Sequence, residues 1–138
     1  MHDFQLKYEA LKADDIFAGQ SDEGLGAHVH FIGTVRNVSK EKNVIALEFE
    51  AYDAMVYSEL EKIAKEILQE WSVEKIALHH RLGRVAVGEI PVIACIASKH
   101  RKQAFEACAY LMDRLKETVP IWKKEIFEDG SEWVTPTP

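Results

Sequence analysis

The sequence predicts a single α+β domain. Two segments repeat their apolar residues with a period close to 3.6, which predicts amphipathic helices. Short alternating or continuously apolar runs lie around them, separated by turn residues, and predict strands. The 138 residues show no internal repeat and no linker-like stretch, and this length is typical of one domain. We therefore expect one domain over residues 1–138, with 134–138 as a disordered tail.

The N-terminal third alternates less regularly than the rest. Residues 4–17 are mixed and show no clear period, whereas the run 27–35 predicts the first strand. The polar stretch 37–43 is predicted to be a mobile loop. Residues 44–52 alternate well and predict a second strand that pairs with the first. One face of this second strand is apolar: Ile45, Leu47 and Phe49.

The middle of the chain contains the first helix and the strongest strand. Residues 54–71 carry a helical apolar stripe, and Asp53 is a plausible N-cap. A third strand is predicted over 73–83. The run 90–97 is continuously apolar and rich in β-branched residues, so we expect it to be a central strand.

The second helix follows Ser98, which is a plausible cap, and ends before Pro120 because a residue that precedes proline avoids the α region. Residues 121–127 predict a strand, and Glu-Asp-Gly-Ser predicts a hairpin turn to a return strand. The helix is predicted to bury an apolar stripe: Phe105, Cys108, Leu111, Met112 and Leu115.

Composition excludes several classes of protein. The net charge is −6, which disfavours general nucleic-acid binding because phosphate neutralisation needs a basic domain. Cys95 and Cys108 have apolar neighbours and predict buried free thiols in a reducing compartment. No apolar run approaches the length of a membrane helix, and the N-terminus shows no signal-peptide pattern. We expect a soluble, cytoplasmic protein.

Basic residues are concentrated in the segment 99–124 of this acidic chain. It contains seven Lys or Arg residues and three acidic residues. His100 and Arg101 fall in the first turn of the second helix, where cations oppose the helix dipole. Free backbone N–H groups at that position favour an anion. The pattern therefore predicts that these cations meet a negatively charged ligand.

Lys116 and Lys123 flank the chain reversal at Pro120. Lys116 at the end of a helix also compensates the dipole, and Lys123 and Lys124 suit a solvated edge strand that resists aggregation. The reversal is, however, able to bring Lys116 and Lys123 together. Two close ammonium groups lower each other's pKa, and a lysine shifted in this way serves as a general base or nucleophile.

Two further features have both a functional and an ordinary structural interpretation. Arg36 stands after a strand, where it suits either a bidentate phosphate contact or simple exposure to solvent. His28 and His30 share a strand face, as two metal ligands do, but no carboxylate or cysteine lies at a convincing spacing from them. We therefore expect no metal site.

Four stretches of the chain resemble the large, catalytic subunit of molybdopterin synthase. They are GAHVHFIGTVRN, HHRLGRVAVGE, ASKHRKQAFEACAYLMDRLKETVPIWKKE and GSEWV, which span about Gly26 to Val134. The combination of a His-Arg pair before a helix, then Lys, then Pro-x-Trp-Lys-Lys-Glu is specific. The resemblance implies an α/β hammerhead-like fold.

The resemblance also implies an activity and partners. The family transfers sulfur in molybdenum cofactor biosynthesis and converts cyclic pyranopterin monophosphate to molybdopterin. Sulfur arrives as a thiocarboxylate on the C-terminal Gly-Gly of a small ubiquitin-like sulfur-carrier subunit. Two large subunits form a homodimer, and two small subunits complete a heterotetramer. The step requires no metal or organic cofactor.

Carried over by motif, the resemblance assigns Lys116 and Lys123 as catalytic residues. It implies substrate contacts from seven residues: Thr34, Val35, Arg36, His100, Arg101, Lys124 and Glu125. Phe31 and Met112 match apolar residues that line the pocket. Which lysine acts as acid or base is left open by the resemblance.

The chain departs from the family pattern at two places. Lys99 stands where a small residue is expected, and no basic residue follows Val134. The second contribution is expected to be absent or supplied by another residue. Two other functions remain open at this point: a non-catalytic module that binds a phosphorylated ligand or docks partners, and a dimeric scaffold whose lysines are merely solvated.

Overall fold

The computed structural model describes residues 2–134 and confirms the α+β fold. Within these residues the chain forms three helices and nine strands. In chain order they are β1 (His2–Lys7), α1 (Ala13–Gln20), β2 (Ala27–Gly33), β3 (Val38–Ser39), β4 (Lys42–Ala51), α2 (Asp53–Glu70), β5 (Lys75–Arg81), β6 (Gly83–Ala86), β7 (Val92–Ser98), α3 (Arg101–Thr118), β8 (Ile121–Phe127) and β9 (Gly130–Val134).

The first sheet has the strand order β1-β5-β7-β2, in which β1 runs parallel to β5 and the other pairs are antiparallel. All seven residues of β7 are buried, which confirms its prediction as a central strand. Alternate residues such as Ala94 and Ile96 face α2 and α3, while Ile93 and Cys95 face Ile16 of α1. The sheet is therefore covered by helices on both faces.

The second sheet has the order β3-β4-β8-β9, with β6 paired to the other side of β4. One of its faces packs on a smaller core that includes Val35, Phe49, Val85 and Phe127. The prediction that β4 pairs with β2 is wrong. A strand buried on both faces, as β7 is, needs a partner on each side, and β2 takes one of these positions.

Four elements were not expected from the sequence: β1, α1, β3 and β6. β1 and α1 fall where no period was visible, because α1 buries only Ile16 and Gln20. The predicted loop 37–43 is a tight β3–β4 hairpin, in which Lys40 and Glu41 adopt positive φ angles of 52° and 63°. This turn lacks the Asn-Gly or Asp-Gly signature that usually marks such a conformation.

A β-bulge explains the altered face of β4. Its pairing with β8 shifts register between Val44 and Ala46. Ile45 is consequently exposed and Val44 is buried, whereas Leu47 and Phe49 keep the predicted inward direction. A bulge inserts one unpaired residue and thereby reverses the alternation that precedes it.

The predicted bounds of α2 and α3 are close to the observed ones, but the predicted N-cap residues, Asp53 and Ser98, do not occupy the N-cap positions. Asp53 is the first residue of α2 and Tyr52 occupies its N-cap, while Ser98 ends β7 and His100 caps α3. The Ser98 hydroxyl donates to the carbonyl oxygen of His100 at 2.6 Å. Pro120 follows the end of α3 as predicted. Phe105 points to solvent, although the stripe predicted it buried.

Both cysteines are buried free thiols, as predicted. Desolvation raises the pKa of Cys95 to about 12 and that of Cys108 to about 11, so both are neutral at physiological pH. Among residues 2–134, no helix is long and apolar enough to cross a membrane. Of the predicted tail, Val134 belongs to β9, and residues 135–138 lie outside the described part of the chain.

The buried His80 is expected to make stability depend on pH. Its ring packs edge-on against Phe49 at 4.9 Å between centroids, and burial lowers its pKa from 6.5 to about 4. The unfolded chain therefore binds more protons in this interval, and stability falls as pH drops from about 6.5 to about 4. The loss that His80 contributes is roughly 3 kcal/mol at most. Urea unfolding at pH 7 and at pH 4.5 measures it.

Other groups titrate over the same pH range, so the change in unfolding free energy between pH 7 and pH 4.5 must be compared between wild type and variants. His80→Leu is expected to flatten this part of the pH dependence. His2→Gln, which removes a histidine from the surface pair with Glu61, is the matched control and is expected to retain it. An identical pH dependence in wild type and His80→Leu would contradict the assignment.

Candidate functional site

Three cationic side chains come together where β2 and α3 end and β8 begins. They are Arg36, Lys116 and Lys123. The pKa of Lys123 lies below its ordinary value of 10.5, chiefly because neighbouring atoms desolvate its amine. Glu125 raises this pKa, and the positive charges of Lys116 and Arg36 both lower it further. Electrostatic effects on Lys123 fall off with distance, so Lys116 and Arg36 lie near its amine, which agrees with the chain reversal being able to bring the two lysines together.

The end of α3 produces this convergence. The N–H of Val119 donates to the carbonyl of Leu115, and Pro120 then prevents a further helical turn. The N–H of Tyr52 donates to the Pro120 carbonyl at 3.2 Å, which ties the reversal to the end of β4. β8 then runs antiparallel to β4. Lys116 is consequently left in the last turn of α3, and Lys123 lies just inside the following strand.

Strand alternation selects which residues of β8 face the site. Lys123, Glu125 and Phe127 share one face, and Phe127 packs in the smaller core. Glu125 is buried. Lys123 as a whole residue is exposed to solvent, but protein atoms partly desolvate its amine. The site is therefore a polar extension of a hydrophobic core, a setting that strengthens electrostatic interactions relative to bulk water.

A cavity of about 100 Å³ lies on this face of β8. Two cations, one carboxylate, two hydroxyl groups and three apolar side chains line it. These residues are Thr34, Arg36, Val38, Ser39, Val44, Leu47, Lys123 and Glu125. Val38, Ser39, Val44 and Leu47 were not identified as site residues from the sequence. The hairpin that carries the first two was predicted to be a loop, so no signal placed them beside Arg36.

A larger depression of about 230 Å³ is lined by Glu50, Trp122, Trp133 and Val134. Trp122 is adjacent to Lys123 in β8, so alternation turns it to the opposite face. Among the residues that the structure describes, no lysine or arginine lines this depression. We place the candidate site in the smaller cavity, because it contains the groups able to bind an anion and move protons.

Lys124 and Arg114 are among the basic residues of the segment 99–124 that do not join the site. Lys124 faces away from Lys123, with its Nζ 4.7 Å from the centroid of the Trp133 ring. Arg114 donates to Glu66 and Glu117 at 3.0 and 3.2 Å, and the Glu66 hydrogen bond raises its pKa further above the usual range. The charge that the sequence showed as one cluster is thus divided among separate surfaces.

His100 and Arg101 lie at the other end of α3 from Lys116. Sixteen residues separate His100 from Lys116, and at 1.5 Å per residue the distance along the helix is about 24 Å. One chain therefore does not bring the His-Arg pair and the two lysines onto one small ligand.

The remaining predicted residues lie near the Lys116 end of the fold. Val35 is 3% exposed, so it supports the segment while Thr34 and Arg36 reach the cavity. Phe31 is exposed on β2, and its backbone is hydrogen-bonded to Cys108 of α3. Met112, one turn beyond Cys108, packs partly buried against the larger core.

The histidine pairs have structural partners. His28 and His30 share a face, as predicted, and both contact the ring of Phe17. His79 Nε2 lies 2.9 Å from a carboxylate oxygen of Asp3. Across residues 2–134, no three His, Cys, Asp or Glu side chains are grouped in a way that suits a metal ion.

The electrostatic coupling at Lys123 leads to a prediction that does not depend on function. Lys116→Met is expected to raise the pKa of Lys123, because it removes a neighbouring positive charge. Glu125→Gln is expected to lower it, because it removes the opposing negative charge. NMR titration of the lysine side-chain signals measures both shifts. Lys124→Met is the matched control, and an equal shift there would contradict the arrangement.

Comparisons with known proteins agree with the sequence and the fold. A family model described as MoaE protein matches residues 6–118. A molybdopterin synthase catalytic subunit of Bacillus subtilis is 39% identical over 134 residues, which cover 97% of this chain and 85% of the relative.

Two solved structures extend the comparison to three dimensions. The crystal structure of molybdopterin synthase from Staphylococcus aureus has a TM-score of 0.90 at 38% identity and covers 96% of both chains. A complex of subunits 1 and 2 of the molybdopterin-converting factor from Helicobacter pylori has a TM-score of 0.79 at 25% identity. That match covers 96% of this chain and 90% of the other.

Proposed function

The chain belongs to the MoaE protein family, and on this premise we propose that it is the catalytic subunit of a molybdopterin synthase. It transfers sulfur in molybdenum cofactor biosynthesis and converts cyclic pyranopterin monophosphate to molybdopterin. The observation that carries this proposal is a cavity lined by Arg36, Lys123 and Glu125, with Lys116 near enough for its charge to lower the pKa of Lys123. Both reactants are anionic, one a phosphate ester and the other a thiocarboxylate, and three cations in an otherwise acidic protein attract both.

Arg36 suits the phosphate, since a guanidinium offers two parallel donors to a pair of phosphate oxygens. Lys116 orients the thiocarboxylate and moves protons as sulfur attacks the pterin. Lys123 stabilises developing negative charge or protonates the leaving oxygen, and its lowered pKa eases release of that proton. Glu125 lies close enough to influence Lys123, and Thr34 adds a hydroxyl to the same cavity.

His100 and Arg101 join this site only if a second copy of the chain supplies them. The separation of about 24 Å within one chain exceeds the size of a pterin monophosphate. A two-fold dimer in which the two α3 helices lie antiparallel solves the problem, because the start of α3 from one copy then meets the end of α3 from the other in two equivalent sites. Each site then contains Arg36 and two lysines from one copy and the His-Arg pair from its partner.

The sulfur donor is a small ubiquitin-like subunit that ends in a Gly-Gly thiocarboxylate. An extended glycine tail has no side chains and therefore suits a narrow cavity close to Lys116 and Lys123. One small subunit on each copy of the homodimer gives a heterotetramer. The free buried thiols fit a reducing compartment, so we place the complex in the cytoplasm.

The direct test is reconstitution. The purified chain is mixed with thiocarboxylated small subunit and cyclic pyranopterin monophosphate, and molybdopterin is measured. Formation of product is expected, and its absence with an active small subunit would overturn the proposal. Binding of the pterin without any turnover would instead identify a non-catalytic phosphate-binding module.

A further inference from the structure

The segment 34–36, which carries Arg36, is held in place by the turn 86–89. None of the predicted site residues belongs to this turn. Residues 34–36 follow β2 and have no regular secondary structure. The N–H of Val35 donates to the carbonyl of Glu89 at 3.0 Å, and the carbonyl of Val35 accepts from the N–H of Gly88 at 2.9 Å. Both backbone groups of Val35 are thus bound to a turn more than fifty residues away in sequence.

The side chains on either side of Val35 are fixed as a result. The Val35 side chain is buried with Phe49 and Val85 in the smaller core, whereas Thr34 and Arg36 line the cavity. Since the backbone of Val35 is clamped and its side chain packed, the direction in which Arg36 leaves the chain is determined by the turn.

The carboxylate of Glu89 stabilises the 86–89 turn. Its Oε1 accepts from the N–H of Ala86 at 2.8 Å and lies 3.4 Å from Nη1 of Arg81. The N–H of Glu89 donates to the Ala86 carbonyl at 3.0 Å. Gly88 has a φ of +84°, a conformation that glycine adopts without strain, and a β-carbon added there would meet no other atom within 4 Å.

We infer that Glu89 is a positioning residue, which acts through the 86–89 turn to hold Arg36 and Thr34 in the geometry that binds the phosphate of the substrate. This inference rests on the proposed function for the identity of the ligand. The contact between Glu89 and Arg81 is partly solvated and contributes little alone. The hydrogen bond to Ala86 is the stronger contribution, because it closes the turn that carries both bonds to Val35.

Steady-state kinetics of Glu89→Ala tests the inference. We expect KM for cyclic pyranopterin monophosphate to rise about three- to tenfold, which corresponds to the loss of about one hydrogen bond, with kcat nearly unchanged. Glu89→Gln keeps the acceptor for Ala86 and is expected to restore most of the loss. Gly88→Ala strains the same turn without changing charge and is expected to raise KM as well.

Glu61→Ala is the matched control. It removes a carboxylate of similar exposure whose ion pair, with His2, lies on α2 and β1, and it is expected to leave KM unchanged. Thermal unfolding of every variant separates lost folding from lost positioning.

A double-mutant cycle shows whether Glu89 acts through Arg36. In an Arg36→Ala background, Glu89→Ala is expected to add only a smaller rise in KM, because Thr34 is then the one remaining residue that the turn positions. An equal rise in both backgrounds, or an unchanged KM in folded Glu89→Ala, would overturn the inference.

Titration with inorganic phosphate, observed by NMR at the Arg36 side chain, gives a readout without turnover. Weaker phosphate binding in Glu89→Ala supports positioning, and unchanged binding contradicts it. If wild-type protein binds phosphate at Arg36 but forms no molybdopterin, the proposed function fails while this test of Glu89 stands.

Discussion

Replacing Lys116 with alanine is expected to lower the rate of molybdopterin formation by about 10²–10⁴-fold, the range typical of losing one general acid–base group. Lys116 lies in the last turn of α3, and its positive charge lowers the pKa of Lys123 on the other side of the reversal at Pro120. In the proposed mechanism, its removal takes away the cation that orients the thiocarboxylate and the donor that moves protons. Single-turnover measurement with preformed thiocarboxylate separates this chemical step from binding of the small subunit.

Two variants make the result specific to the amine. Lys116→Arg keeps the charge but not a readily transferable proton, so it is expected to recover docking of the small subunit and little of the rate. Lys62→Ala removes an exposed lysine from the middle of α2 and is the matched control for a helical lysine-to-alanine change. A Lys116→Ala protein that folds, binds the small subunit and retains wild-type rate would exclude Lys116 from catalysis.

The parts of the fold that were predictable are those in which local pattern and tertiary packing agree. α2 and α3 carry a helical apolar stripe and β7 is a continuous apolar run, and the buried residues of the structure largely follow these patterns. β1 and α1 escaped prediction because they bury few residues and are stabilised by contacts with β5 and β7. Long-range pairing decides such segments, and a window of sequence does not contain it.

The candidate site also combines residues whose position has a local signal in the sequence with residues that long-range pairing brings in. Lys116 and Lys123 are seven residues apart and are joined by one reversal, so Pro120 indicated that the two could meet. Arg36 reaches them only because β2 pairs with β7 and the 86–89 turn binds Val35, neither of which has a local signal. Conversely, Lys124 neighbours Lys123 in sequence, but strand alternation sends it to the Trp133 face.

Subunit mixing is expected to decide where His100 and Arg101 act. Arg101→Ala and Lys116→Ala chains, each nearly inactive as homodimers, are combined and purified as heterodimers through two different tags. If each site takes Arg101 from one copy and Lys116 from the other, the heterodimer has one site with both defects and one intact site. It is therefore expected to recover about half of wild-type activity.

The reciprocal heterodimer gives the opposite result and removes the ambiguity. A chain with both Arg101→Ala and Lys116→Ala is paired with a wild-type chain, and every shared site then lacks one of the two residues. This heterodimer is expected to be nearly inactive, although half of its chains are wild type. If the two residues instead acted within one chain, this heterodimer would retain about half of the activity and the first would have none. The distance of about 24 Å along α3 favours the shared site, because no rearrangement of a continuous helix brings its two ends together.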